Sequence, residues 1–443
     1  MVTARRTRGL IVAAPCSGSG KTTVTLGLLA ALRQSERAVQ PFKTGPDYID
    51  TGHHEAAAGR PSFNLDTWAM PAPAIKRLVA DTTPDADVAI VEGVMGLFDG
   101  ASDAGRAGSG STADLAALLG WPVVLVLDVS GQTETAAALA LGCALYRPDV
   151  RVVGVILNQV ASARHLAMIT PGFARIGLKV FGALFRDGDL RLPERHLGLV
   201  QAGETEDWQA KINRIGARIA DEVDLAALLE AAHHIEPAAS PELRPAMRPP
   251  GQRVALARDV AFSFAYNHLL KSWRDAGAEI LPFSPLQDES PSEAADAIWL
   301  PGGYPELHAG RIAAASRFLT GLRAAAERAV PIHGECGGYM VLGQGLEDAD
   351  GHRHAMAGLL TAETSFLKRK LHLGYRRARL LSDCVLGRKE AEIYGHEFHY
   401  ATLLSDTGQP LMECRDAGTG AVRPAGSRNG SVTGSFFHFL SSD

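Results

Sequence analysis

Apolar residues first gather at Gly9 to Ala14, without polar alternation, and then recur at Val24, Leu28, Leu29 and Leu32, the spacing of one helix face. A glycine-rich turn separates the two segments. Further unbroken apolar runs, Val88 to Val91, Val123 to Leu127 and Val152 to Leu157, read as buried strands. Stretches of helical spacing, notably Thr112 to Leu119 and Glu134 to Leu145, lie between them. Strands without a polar face, joined by helices, predict a parallel sheet covered on both sides. Over residues 236–252 the pattern lapses into a Pro-rich stretch with little to bury, which reads as a linker. Alternation then resumes with strand Arg253 to Ala257, helix Phe264 to Ala276, strand Ala297 to Leu300 and helix Ala309 to Ala329. The expected organisation is two α/β domains, 1–235 and 253–443.

Bulk composition narrows the classes. A chain of 443 residues is too long for one ordinary core, and a formal net charge of −5 argues against bulk-charge binding of nucleic acid. No apolar run approaches the ~20 residues that span a bilayer. The basic start, Arg5 to Arg8, precedes too short an apolar run for a secretion signal and reads as a tail leading into the first strand. Cys16, Cys143, Cys336, Cys384 and Cys414 show no CxxC and no framework spacing, which fits reduced thiols in the cytoplasm.

The first turn, Ala14-Pro-Cys-Ser17-Gly18-Ser19-Gly20-Lys21-Thr22-Thr23, follows a strand and precedes a helix. Its glycines can turn backbone N–H groups inward around phosphates, Lys21 can reach the β and γ groups, and the Thr22 hydroxyl can ligate Mg²⁺. The first glycine of the usual phosphate-loop pattern is Pro15 here. Two more segments add carboxylates in glycine-bent loops: Pro41 to Asp50, carrying Lys43, Asp47 and Asp50, and a strand delivering Glu92 into Gly93 to Gly100. An acid at the end of a strand beside a phosphate loop is placed to hold Mg²⁺ directly or through water.

In the second half, Val330 to Tyr339 contains Gly334-Glu-Cys336-Gly-Gly338, a nucleophile elbow with cysteine where other enzymes have serine. Such an elbow is expected to hold the thiol in a strained, exposed position at a helix N-terminus, which lowers its pKa. The Gly302-Gly303 turn, with Gly337 beside the thiol, supplies amides for an oxyanion hole, and His438 in the closing segment Gly434 to Leu440 is the candidate base. His396 and His399 are too closely spaced for a H-E-x-x-H metal helix. His53-His54 and His233-His234 read as solvated surface pairs. Lys368, Arg369, Lys370, Arg376, Arg377 and Arg379 read as a solvated basic face or a docking surface for a polyanionic small molecule.

The segments Pro15 to Thr23, Phe42 to Asp50, Glu92 to Gly100, Pro301 to Glu306, His333 to Tyr339 and Gly395 to His399 resemble the cobyrinate/hydrogenobyrinate a,c-diamide synthases of cobalamin biosynthesis, over nearly the whole chain. The first half also resembles dethiobiotin synthetase, a P-loop enzyme, and the second a class I glutamine amidotransferase domain. The resemblance implies an ATP-phosphate cradle of Ser17, Gly18, Ser19, Gly20, Lys21, Thr22 and Thr23, with Asn158 reading adenine. It implies Mg²⁺ on Thr22, Asp47 and Glu92, and a substrate region of Lys43, Asp47, Tyr48 and Asp99. Cys336 would be the nucleophile and His438 its base. The family's partners are ATP, glutamine and hydrogenobyrinic or cobyrinic acid, with no nucleic acid or membrane; a homodimer follows by analogy with dethiobiotin synthetase.

One departure is visible. The His-x-Glu of the usual amidotransferase triad is His438-Phe439-Leu440 here, so a third member is unassigned. Carboxylates do not react with ammonia unaided; phosphoryl transfer would activate them, and Cys336 would release ammonia from glutamine along a protected route. Cobyric acid synthase and nickel-sirohydrochlorin a,c-diamide synthase remain as alternatives. A switch ATPase with an inactive amidotransferase module is a third, from a different class. Whether the ring carries cobalt is open, with the Ala/Arg-rich composition leaning toward the metal-free substrate.

Overall fold

The first apolar run is strand β1 (Arg8–Ala13), and the glycine turn after it leads into helix α1 (Lys21–Gln34). There follow β2 (Val39–Thr44), α2 (Tyr48–Ala58), β3 (Phe63–Leu65), α3 (Ala72–Thr82), β4 (Val88–Glu92), α4 (Thr112–Leu119), β5 (Val123–Asp128), α5 (Thr135–Tyr146), β6 (Val152–Val160), α6 (Ala163–Ile176) and β7 (Lys179–Phe185). The strands pair in parallel in the order β3-β2-β4-β1-β5-β6-β7. A small antiparallel pair, β8 (Glu194–Arg195) with β9 (Gly198–Leu199), precedes α7 (Trp208–Glu222), α8 (Leu225–Ala231) and β10 (His233–His234), which pairs with the start of β1. Two apolar cores cover the two faces, one around Phe42, Val91, Leu125 and Phe173, the other around Leu10, Leu28, Ile90 and Ile212. The carboxyl ends of β1, β2 and β4 meet at the phosphate loop because these strands are neighbours in the sheet.

The structure is a computed structural model describing residues 7–188, 192, 194–195, 198–199, 207–235 and 248–442. It divides into two compact units, Met1–Leu243 and Arg244–Asp443. Residues 236–247 of the expected linker, and Arg5 and Arg6 of the basic tail, lie outside the described residues.

In the second unit β11 (Arg253–Ala257), α9 (Asn267–Asp275), β12 (Glu279–Phe283), β13 (Ala297–Leu300), α10 (Ala309–Ala314), α11 (Ser316–Glu327), β14 (Ile332–Glu335) and α12 (Gly337–Leu342) form an α/β half. The remaining strands are β15 (Gly345–Glu347), β16 (Arg353–Ala355), β17 (Glu363–Ser365), β18 (His372–Leu380), β19 (Glu392–His399), β20 (Thr402–Ser405), β21 (Gln409–Asp416), β22 (Val422–Asn429), β23 (Val432–Ser435) and β24 (Phe437–Ser442). A ten-stranded sheet runs β12-β11-β13-β14-β23-β22-β21-β18-β19-β24, parallel from β12 to β23 and antiparallel beyond. A four-stranded sheet, β16-β15-β17-β20, lies apart from it.

Two predicted elements are split. The helix over 309–329 breaks at Ala315 (ψ 78°), where the Asp288 carboxylate accepts from the Phe318 amide at 2.9 Å and supports the new first turn. The closing segment breaks at Phe436: β23 pairs with β14 and β22, whereas β24 crosses to β19. That switch brings the end of the chain to the cysteine elbow.

Candidate active site

The phosphate loop is shaped by two left-handed glycines, Gly18 (φ 79°) and Gly20 (φ 89°), a backbone region closed to most side chains. A Cβ on Gly20 would fall 2.2 Å from Asn158 Nδ2, and Asn158 instead donates to the Ser19 carbonyl at 2.9 Å. Asn158, within β6, therefore braces the loop through its Nδ2. Ser19 Oγ donates to the Cys16 carbonyl at 2.9 Å, tightening the turn from within. The loop after β4 is fastened alongside, with Gly93 N on Val12 O and Leu97 N on Ala14 O, both at 2.8 Å. Lys21 Nζ donates to the Met95 carbonyl in that loop at 2.6 Å, and burial lowers its pKa. Asp99 is exposed and accepts from Gly96 N at 2.8 Å.

Glu92 is the centre of this site. Its Oε1 accepts from the Thr22 hydroxyl at 2.6 Å and from Lys43 Nζ at 2.9 Å, while Oε2 meets His54 Nε2 at 2.6 Å. Lys43 also pairs with Asp50 at 2.5 Å. Burial works against the charge of Glu92, yet Lys43, His54 and Thr22 hold its carboxyl well below the usual range. Burial likewise opposes the charge on Lys43, but Asp50 and Glu92 hold its pKa above the ordinary value. Asp47 caps α2, its Oδ1 accepting from Ile49 N and Asp50 N at 2.8 and 3.0 Å. Burial, reinforced by Asp50, pushes Asp47 up to about 6 despite Lys43. Tyr48 begins α2 and is buried.

This arrangement corrects the surface reading of His53 and His54. Both are fully buried, because Asp50 and His54 stand one helical turn apart on the face of α2 turned to Glu92, and His53 packs on Trp208 with ring centroids 4.5 Å apart. His233 and His234 are exposed, as read. Thr22, Asp47 and Glu92 offer oxygen atoms of the kind a hard cation takes; the Thr22 hydroxyl meets Glu92 directly, Glu92 is engaged by three protein groups, and Asp47 caps α2.

In the second unit Cys336 has φ 47° and ψ −101°, the strained elbow that its flanking glycines foretold. Its amide donates to Ser435 O at 2.8 Å, tying the elbow to β23. A Cβ placed on Gly302 would lie 2.7 Å from His438 Cε1 and 3.4 Å from Cys336 Cβ, so the loop after β13 closes on both at once. A Cβ on Gly337 would lie 3.0 Å from Gly303 N, so the candidate oxyanion glycines Gly302, Gly303 and Gly337 surround the thiol. The Cys336 Sγ stands 4.0 Å from the Phe398 carbonyl of β19.

The electrostatics reverse one expectation. Burial, then the Glu306 carboxylate, push the Cys336 thiol well above its usual value, against the Gly337 amide. The elbow is buried, not exposed as expected, and burial outweighs the Gly337 amide, so the protonated thiol is favoured. Glu335, unnoticed in the sequence, is buried, accepts from Phe439 N at 2.9 Å, and is pushed by burial up to about 8. Of the basic cluster, Arg376 is buried, with Nε on Glu397 at 3.0 Å and a second nitrogen on Asp416 at 2.6 Å; Lys368, Arg369, Lys370, Arg377 and Arg379 remain exposed. His396, Glu397 and His399 lie on a strand, not a helix.

A histidine-faced thiol in an elbow opens amides, and a phosphate loop with a buried lysine–carboxylate cluster activates oxygen acids. A chain that carries both is a glutamine-dependent amide ligase that binds nucleotide. Residues 10–200 match the CobQ/CobB/MinD/ParA nucleotide binding domain, and residues 253–443 the CobB/CobQ-like glutamine amidotransferase domain. The chain is 56% identical over 433 residues to hydrogenobyrinate a,c-diamide synthase of Rhodobacter capsulatus, and 53% over 437 residues to that of Mesorhizobium japonicum, with 98% of both chains covered in each case. The chain belongs to the hydrogenobyrinate a,c-diamide synthase family. No helix among the described residues is long and apolar enough to cross a membrane.

Proposed function

We propose that this chain amidates the a and c carboxylate side chains of hydrogenobyrinic acid, using ATP to activate each carboxylate and glutamine as the source of ammonia. The observation that supports this substrate most is identity of 56% along almost the full length of a synthase of that name, spanning both units. The names of the relatives favour the metal-free ring over cobyrinic acid. A homodimer and a cytoplasmic setting belong to the same reading.

Thr22, Asp47 and Glu92 would hold Mg²⁺, which when bound neutralises charge on the β and γ phosphates of ATP. Ser17 to Thr23 cradle those phosphates. Lys43, kept charged by Asp50 and Glu92, stands ready to receive an anionic oxygen. A substrate carboxylate oxygen attacks the γ phosphorus, ADP leaves, and an acyl phosphate results. Ammonia then attacks the acyl carbon, phosphate departs, and the nitrogen loses a proton. Tyr48, Asp47 and Asp99 border the substrate.

Cys336 opens glutamine by giving its proton to His438 and attacking the side-chain carbonyl. The amides of Gly303 and Gly337 receive the oxyanion. His438 returns the proton to the departing ammonia, and water hydrolyses the glutamyl thioester to glutamate. Because the thiol rests protonated, this transfer has to occur with glutamine in place. Exchange of Cys336→Ser abolishes glutamine-driven amidation and leaves ammonia-driven amidation intact; loss of both activities in a folded variant would overturn this division of labour.

A further inference from the structure

The third member of the Cys–His pair has a candidate in the strand beside β24. His396 of β19 stands directly opposite His438 in the sheet register, and the two imidazoles stack with centroids 4.9 Å apart and planes 16° from parallel. Tyr266, just before α9, places its hydroxyl 2.5 Å from His396 Nε2. All three side chains are buried, with exposures of 2%, 0% and 2% for His396, His438 and Tyr266. Behind them His268 packs on Tyr266 at 5.3 Å and meets the Leu440 carbonyl at 3.1 Å, fixing the strand two residues beyond His438.

We propose that His396, oriented by Tyr266, is the positioning residue for His438, in the part that a carboxylate plays in a Cys–His–Glu triad. The proposal rests on the glutaminase reading of Cys336 and His438. When His438 takes the thiol proton it becomes a cation with the face of a neutral ring against it. A π face stabilises such a cation, and the stack holds the imidazole plane toward Gly302 and Cys336. Tyr266, donating to Nε2, fixes the orientation of His396 and occupies the lone pair that would otherwise accept a second proton.

The neighbouring carboxylates are less suited to the part. Glu335 binds the strand backbone at Phe439 instead of the ring, and burial leaves it uncharged at neutral pH. Glu397 is committed to Arg376 at 3.0 Å and Arg423 at 2.7 Å. Among the described residues, His396 and His399 of β19 act on His438, Tyr266 meets His396, and Glu306, Glu335 and Glu397 act on the neighbouring Cys336.

The test uses the full chain carrying Tyr266→Phe, His396→Phe or His396→Gln. Three quantities are read: glutaminase kcat and KM, the pH profile of Cys336 alkylation by iodoacetamide, and ammonia-driven amidation. Tyr266→Phe and His396→Phe lower glutaminase kcat about tenfold or more with glutamine KM within about twofold. They move the alkylation midpoint by about one pH unit and leave the ammonia-driven rate unchanged. His396→Gln, which still accepts from Tyr266, regains part of the loss. Wild-type kcat and alkylation profiles in Tyr266→Phe, beside an active parent, overturn this proposal alone. A parent without glutaminase activity overturns the glutaminase reading and the proposal with it.

Discussion

His54 and Glu92 meet at 2.6 Å, Nε2 to Oε2, with both side chains wholly shielded from solvent. The contact fixes the orientation of a carboxylate that also receives Thr22 and Lys43, so the end of β4 beside the phosphate loop is held by three protein groups.

Exchange of His54→Ala is therefore expected to cost about 1–3 kcal/mol of stability, because a buried charged acceptor loses a partner. It should also raise the Mg²⁺ concentration needed for half-maximal ATP-dependent amidation about tenfold or more, as loss of a supporting partner does at metal sites. Thermal melts and Mg²⁺ titrations of the variant check both, and an unchanged Mg²⁺ requirement would show that Glu92 is not positioned this way.

Lys43 neutralises Asp50 and Glu92 in an interior that cannot solvate them. Lys43→Met removes the cation from Asp50 and leaves Glu92 with only His54 and Thr22, and should destabilise the first unit by about 3–5 kcal/mol, with amidation lost from glutamine and from ammonia alike. Urea unfolding alongside both assays distinguishes this from a lesion confined to the second unit.

Gly302→Ala places a methyl group against His438 and Cys336. Displacement of either reacting group by about an ångström is expected to lower glutaminase kcat ~10²-fold while ammonia-driven amidation persists. Steady-state rates with the two nitrogen sources test it.

Much of this geometry was legible in the chain and some was not. The phosphate loop and the cysteine elbow announce themselves because glycines at fixed offsets serve a local backbone shape, and Gly20 and Cys336 adopt the left-handed or strained angles expected. His54 escaped because a polar pair in a short helix looks solvated until the fold sets Glu92 beside it. Its four-residue offset from Asp50 was the available signal. The pairing of His396 with His438 was invisible because strand register between distant segments follows from the whole sheet. The raised thiol pKa of Cys336 likewise depends on burial by residues from β13 to β24.

Acid should loosen the second unit. Burial lowers His268 to about 4 and His333, His396 and His399 each to about 3, and holds His438 well below its usual value. These rings stay neutral in the fold and gain protons only on unfolding, so stability falls as pH drops below about 6.5. Glu335, raised to about 8, is protonated in the fold and opposes this between pH 4.5 and 8. His372 is lowered as well, so the lowered histidines outnumber the one raised glutamate and the net effect of acid is destabilising. Urea midpoints measured from pH 7.5 to 5 should fall steeply; a flat profile would mean that these histidines are not held neutral.

Mass spectrometry of hydrogenobyrinic and cobyrinic acids, each incubated with the purified chain, glutamine and Mg-ATP, tests the central claim most directly. The account predicts that two carboxyl groups of hydrogenobyrinic acid become amides, with glutamate and ADP formed in step. Glutamine hydrolysis without amidation of either ring would contradict it.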